Sequence, residues 1–221
     1  MSRWEIRIAT VIAAMALGLT PTATTAAEQP GLAIAALETL PVKGRAPKTG
    51  YTRDQFGQAW ADVDRNGCDT RNDILKRDLT SVIYKAKTRN CVVLSGTLLD
   101  RYSGESINFI RGNITSMEVQ IDHVVALSNA WQTGAFKLTA EQRKALANDP
   151  LNLFAVKGRL NSQKGDGDAA TWLPPLKSFR CAYVAQQIAV KAKYSLWVVP
   201  PEKAAMLSIL AKCPTQKLPA S

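Results

Sequence analysis

At 221 residues and 24.0 kDa, the chain is long enough for one domain with a real core, or at most two small ones. It carries 28 Lys and Arg against 18 Asp and Glu, a net charge of +10, and its 46% of hydrophobic residues exclude disordered, collagen-like and repeat classes. The single histidine excludes three-His zinc sites, Cys₂His₂ fingers and H-E-x-x-H protease helices, so any imidazole chemistry must run through His123.

The N-terminus reads as a signal peptide over residues 1–27: a basic start at Arg3 and Arg7, an apolar run over 8–19 and small residues over 23–27. A run of about a dozen apolar residues is too short to cross a bilayer of roughly 30 Å. The expectation is an exported protein with no membrane anchor after cleavage, and no cysteine stands near the cleavage region to carry a lipid. Cleavage leaves 26 basic against 17 acidic side chains, a net +9. In an oxidising compartment the even set Cys68, Cys91, Cys181 and Cys213 reads as two structural disulfides. Three pairings exist; Cys68–Cys91 with Cys181–Cys213 is favoured because each bond closes a local segment, and each would contribute about 3 kcal/mol by restricting the unfolded chain. A positive charge of this size suits nucleic acid or an anionic cell-surface polymer. The aromatics, 7% and scattered, offer no obvious stacking platform for single strands.

Residues 28–50, with three prolines and three glycines, read as a flexible lead ahead of a single domain over 51–215, with a tail over 216–221. The stretch Asp62-Val-Asp64-Arg-Asn66-Gly67, with Asp73 at the twelfth position, fits the template of a calcium-binding EF-hand loop. Asp replaces its terminal Glu, polar Asp69 sits where an apolar residue is usual, and a disulfide at Cys68 would constrain it. A turn of Asx type leading into a helix is the simpler reading, with Ca²⁺ as the second. Apolar spacing predicts a helix over 72–85 capped by Asn72. Strands are expected over 91–98 and 106–110 about a turn at 100–104, and over 117–122. A helix over 125–132 follows, then another opened by the Thr139-Ala-Glu-Gln142 capping box and broken at Asn148-Asp-Pro150. A short strand over 153–156, a helix or tight loop over 159–164 and closing helices over 180–193 and 202–212 complete an α+β pattern with no parallel βαβ series. The tryptophans 60, 131, 172 and 197 are expected in the core.

The informative segment spans 118–168. It holds Ile121-Asp122-His123-Val124-Val125, then Asp149-Pro-Leu-Asn152-Leu, then Asn161-Ser-Gln-Lys164-Gly165-Asp166. Together with Asn66-Gly-Cys-Asp-Thr-Arg-Asn72 and Ala169-Ala-Thr-Trp-Leu-Pro-Pro175, these pieces resemble the secreted bacterial HNH (ββα-metal, His-Me finger) endonucleases, related to the catalytic domain of modification-dependent restriction enzymes. The resemblance runs from about Tyr51 to Cys213. It implies a ββα-metal core with surrounding helices, stapled by disulfides, and a metal-dependent endonuclease. Asn152 matches the family's middle asparagine, whose role is to fix the loop and orient the histidine. The last motif position, often His in the family, is Asn161 here.

The residue types suit the reaction independently. Phosphodiester hydrolysis needs an activated water, a stabilised leaving oxygen and charge offset on the phosphate. A neutral imidazole is a suitable base, which assigns that role to His123. Asp122 and Asn161 offer hard oxygens to one divalent cation, Mg²⁺ first and Mn²⁺ second, because no second imidazole is available for Zn²⁺. Lys164, Arg111 and Arg71 are candidates to contact phosphate, while Asp166 and Asp168 are expected to hold their loop by pairing with Lys or Arg. The expected substrate is DNA, with RNA as a second, cut with little sequence specificity by a monomer. The rival reading is a secreted basic protein that binds nucleic acid or an envelope polymer without turnover. Nothing in the chain resembles a P-loop or a Gly-x-Ser-x-Gly nucleophile turn.

Overall fold

The computed structural model describes residues 31–113 and 115–220, together with Met1; the expected signal peptide lies outside the described residues apart from that methionine. Helix α1 (Ala33–Thr39) is followed by a 3₁₀ turn (Arg53–Phe56), α2 (Thr70–Asp78), β1 (Leu79–Tyr84), β2 (Val93–Leu99) and β3 (Ser106–Ile110). Then come β4 (Val119–His123), α3 (Leu127–Gln132), α4 (Ala140–Asn148), β5 (Leu153–Lys157), α5 (Gly158–Lys164), α6 (Arg180–Lys193) and α7 (Pro200–Leu210). The fold is mixed, with two small antiparallel sheets: β1-β2-β3, and the pair β4-β5. No helix among the described residues is long and apolar enough to cross a membrane.

The pair β4-β5 carries the architecture of the site. Its register sets Asp122 opposite Phe154 and His123 opposite Leu153. Helix α5 then starts at the residue after β5, with the Gly158 amide donating to Glu118 O at 2.9 Å. A side chain at Gly158 is impossible, because a Cβ there would lie 1.9 Å from Met117 O. Glycine at this position lets the helix leave the strand without a loop, which fixes α5 rigidly against β4. Beneath the larger sheet, Ile74 and Leu75 of α2 pack with Leu98, Phe109, Val119, Ile121 and Leu153, so both sheets share one apolar layer.

Three expectations change. The helix over 72–85 is shorter and starts earlier: α2 ends at Asp78 and the remainder becomes β1, paired with β2. Thr80, Val82 and Ile83 are β-branched and prefer the pleated surface, and the register of β1 shifts between Thr80 and Ile83. The cap is Asp69, whose carboxylate accepts from Asn72 N at 2.9 Å, and not Asn72. Asn72 is buried instead; its Oδ1 accepts from Val93 N at 3.0 Å and from Arg111 Nη2 at 2.5 Å.

The third change concerns residues 28–50, read as a flexible lead. From residue 31 onward they are built into the body. Ala33, Leu37 and Leu40 join Val184, Ile188, Val198, Met206 and Leu210 in one buried cluster with α6 and α7. The chain's end closes over the same cluster, with Leu218 N donating to Gly31 O at 3.0 Å. Each large side chain buried this way stabilises the fold by roughly 1.5–3 kcal/mol, which a glycine-and-proline count does not register.

Other elements stand where expected: the Thr139–Gln142 capping box opens α4, and Arg180–Lys193 is α6. The cysteines pair as Cys68–Cys91 and Cys181–Cys213. Trp131 and Trp197 are buried, and Trp172 packs edge-on to Tyr102 at 5.0 Å; Trp60 behaves differently.

Candidate active site

The end of β4 delivers Asp122 and His123, the turn before β5 delivers Asn152, and α5 delivers Asn161 and Lys164 from positions three apart on one helix face. Local sequence explains each placement. Asp149 caps the short 3₁₀ turn at Pro150–Asn152 by accepting from Leu151 N at 3.0 Å, so the chain reverses sharply into β5.

Asn152 is fully buried and binds the loop that follows His123. Its Oδ1 accepts from Val125 N at 2.8 Å, its Nδ2 donates to Val125 O and Leu146 O at 3.3 Å, and its backbone O accepts from Val124 N at 2.8 Å. One side chain thus ties the histidine's own loop to the end of α4.

The imidazole of His123 is itself held from α4. Nε2 lies 2.9 Å from Ala147 O, and because a carbonyl can only accept, Nε2 carries the proton and Nδ1 is the basic atom of the neutral ring. Burial pushes the group down from 6.5 to about 4, against the pull of the Ala147 hydrogen bond and with help from the positive charges of Arg53 and Lys164. The imidazole is therefore neutral at physiological pH, with Nδ1 unprotonated.

Asp122 is buried and hydrogen-bonded through both oxygens. Oδ2 accepts from Tyr102 OH at 2.5 Å and Oδ1 accepts from Lys164 Nζ at 2.9 Å. Burial raises its pKa, opposed by Lys164 and Tyr102. Lys164, expected to contact phosphate, is instead 3% exposed and spans Asp122 and His123 O, the latter at 2.8 Å. It fastens the Asp-His pair from behind.

Two cavities meet at His123. The first, about 260 Å³, is lined by Asp122, His123 and Asn161 together with Gln120, Arg53 and Asp166, so motif residues from β4 and α5 share one space. Asn161 Nδ2 donates to Gln120 Oε1 at 2.8 Å, which leaves Oδ1 as its remaining acceptor. The second, about 360 Å³, also borders His123 and is lined by Trp60, Phe56, Leu127, Ala147 and Asn148.

The first cavity offers the donor types that a hard divalent cation takes, one carboxylate and one amide oxygen. A carboxylate has about four lone-pair sites, of which hydrogen bonds to Asp122 use two, and Asn161 Oδ1 accepts no hydrogen bond among the described residues. One carboxylate with one amide is the protein share typical of Mg²⁺, which keeps most of its waters. No three His, Cys, Asp or Glu side chains converge on a metal-holding arrangement among the described residues. That includes the loop at Asp62, Asp64, Asn66 and Asp73. There the Asp62 carboxylate accepts from Asn66 N and Gly67 N at 3.1 and 2.9 Å, and Asn66 Nδ2 reaches Asp64 and Asp73. The loop closes as Asx-type turns beside the Cys68–Cys91 bond.

Arg111 and Arg71 line neither cavity. Arg111 is committed to Asn72 and to Val93 O, and Arg71 is half-buried beside Arg111 and Asp69, its pKa lowered by burial and by the Arg111 charge. Asp168 and Asp166 pair with Arg45 at 2.5 Å and Lys48 at 3.0 Å, so residues 45 and 48 brace the loop after α5.

Two site residues escape sequence reading. Arg53 lines both cavities, is exposed, and makes no ion pair among the described residues. Trp60, expected in the core, is half-exposed and lies over the His123 ring at 5.9 Å with planes 16° apart. Both arrive through the fold-back of 51–60 onto α4, where Arg143 Nε donates to Gln55 O at 2.7 Å. Nothing local distinguishes Arg53 among 28 basic residues.

No solved structure matches the chain. A fungal protein of Arthroderma benhamiae, described as an uncharacterized secreted protein, is 38% identical over 179 residues, covering 80% of this chain and 82% of the relative. Its description agrees with the exported location read from the N-terminus here, and its source extends the resemblance beyond bacteria. Residues 69–209, which contain every residue lining the first cavity except Tyr51 and Arg53, match the C-terminal domain of GmrSD restriction endonucleases, and the chain belongs to that nuclease-related family.

Proposed function

We propose that the protein is an exported, metal-dependent endonuclease that hydrolyses phosphodiester bonds in DNA, and that β4, β5 and α5 form a ββα-metal finger. The observation that carries this reading is the convergence of Asp122, His123 and Asn161 on one cavity. In this reading Asp122 and Asn161 hold a Mg²⁺ ion, which when bound supplies charge neutralisation at the phosphate and at the leaving oxygen. His123 Nδ1 takes the proton of the attacking water; the ring stays neutral because it is buried, and stays oriented because Ala147 O holds Nε2. Asn152 keeps the loop after the base in place. Arg53, the exposed cation on the cavity wall, meets the phosphate. The net charge of +9 after cleavage adds sequence-independent affinity that falls with salt.

The test is cleavage of plasmid by the mature protein with Mg²⁺ and with EDTA, beside His123→Ala. Expected are metal-dependent cleavage and a loss of roughly 10²–10⁴-fold in the variant. Binding without cleavage at any metal concentration would overturn the reading in favour of a nucleic-acid-binding protein without turnover. A fully active His123→Ala would discard the mechanism.

A further inference from the structure

The chemistry above uses only one of the two cavities at His123. The second, about 360 Å³, is of the size that admits a small planar ligand, and its lining sets Trp60 and Phe56 beside His123, Arg53, Asp54 and Gln58. Behind its wall lies an unmatched polar group. Asn148 is 1% exposed; its Nδ2 donates to Lys144 O at 2.9 Å, while its Oδ1 is buried with no hydrogen-bond partner. A buried acceptor left unmade is costly, and native folds rarely keep one without a use. Arg53 borders this cavity and the first, so a group bound here shares a wall residue with the proposed phosphate position.

We propose, building on the nuclease reading, that this cavity receives the nucleobase next to the scissile phosphate, set against the Trp60 wall, with an exocyclic amino group donating to Asn148 Oδ1 once that side chain turns into the cavity. An aromatic wall accepts any base through its π-face, and an acceptor placed to meet an exocyclic amino group adds a preference for adenine, cytosine and guanine over thymine, whose one N–H donor is the ring imide. A base within a duplex has both faces covered by its neighbours, so the site takes a base that is unpaired or drawn out of the stack. Single strands are therefore the preferred substrate.

The full-length mature protein without metal is titrated with dAMP, TMP and deoxyribose 5-phosphate while the indole N–H resonances are followed, the Trp60 signal being the one lost in Trp60→Phe. The expected result is a saturable shift of that signal with dAMP, roughly tenfold weaker affinity for TMP, and none with the sugar phosphate. Asn148→Leu should erase the gap between dAMP and TMP. A Trp60 signal unmoved by mononucleotides, or moved equally by the sugar phosphate, overturns the base site; a dAMP preference that survives in Asn148→Leu overturns the role of Asn148. Because the readout needs no turnover, base binding by a protein that cuts nothing would sink the nuclease reading alone.

Discussion

Two cavities share His123: one of about 260 Å³ gathers Asp122, Asn161, Gln120 and Asp166, and one of about 360 Å³ carries Trp60, Phe56 and Ala147 beside Asp54 and Gln58. The imidazole borders a polar space and a more apolar one. What differs between the two sides is how each is held. The polar side is built from a contiguous β4-β5-α5 unit with buried hydrogen bonds at every motif residue except Asn161, which bonds at the cavity's edge. The apolar side is assembled by a distant segment, 51–60, laid across α4. A rigid polar wall suits charges that must not move during reaction, whereas a wall from a separate segment can vary in shape without disturbing them.

The largest expected effect breaks the polar side. Lys164 and Asp122 form a buried ion pair, with side-chain exposures of 0% and 5%. Lys164→Met would leave Asp122 charged without a partner, and removing one member of such a pair costs about 3–5 kcal/mol. Denaturant unfolding at neutral pH measures it. A loss under 1 kcal/mol would mean that Tyr102 and solvent alone support the carboxylate. Lys164 also donates to His123 O, so cleavage should fall further than the unfolded fraction explains.

Next in size is the boundary itself. Its folded-state pKa, about 4, lies below the ordinary 6.5, so the unfolded chain binds a proton that the folded chain refuses between those values. Stability from the neutral ring is complete above pH 6.5 and is lost as pH falls toward 4, by about 3 kcal/mol. In metal-free protein, the stability difference between the parent and His123→Asn should shrink by about that amount across this window. Parallel pH curves would mean that the ring is open to solvent.

The same contrast explains what the sequence disclosed. Asp122, His123, Asn152, Asn161 and Lys164 fall within 43 consecutive residues, where strand register and helix period leave few ways to arrange them. Even so, Lys164 points back onto Asp122 and not outward, because it follows by one turn Leu160, which packs in the cluster of Tyr102 and Val124. Residues 72–85 satisfied a helical period, and only pairing with β2 turned their second half into β1. Leu37 and Leu40 look unremarkable among prolines and glycines until α6 and α7 supply the surface they bury. Trp60 is one of five tryptophans, and its place over His123 depends on contacts far apart in the chain.

Arg53 joins the two sides, and its removal is the smallest and most discriminating change. The residue is exposed, free of ion pairs among the described residues, and common to both cavities. Arg53→Ala should leave thermal stability within about 0.5 kcal/mol, as surface substitutions usually do, and raise the KM for cleavage by roughly tenfold, the equivalent of about 1.4 kcal/mol. Losing one phosphate contact should also flatten the dependence of log affinity on log salt by about one unit. His123 gains slightly in basicity as well, since the Arg53 charge contributes to holding its pKa down. A variant with unchanged KM and salt slope but a shifted pH profile would show that Arg53 tunes the imidazole without touching the substrate. A lowered KM would mean that the guanidinium obstructs the passage between the two cavities.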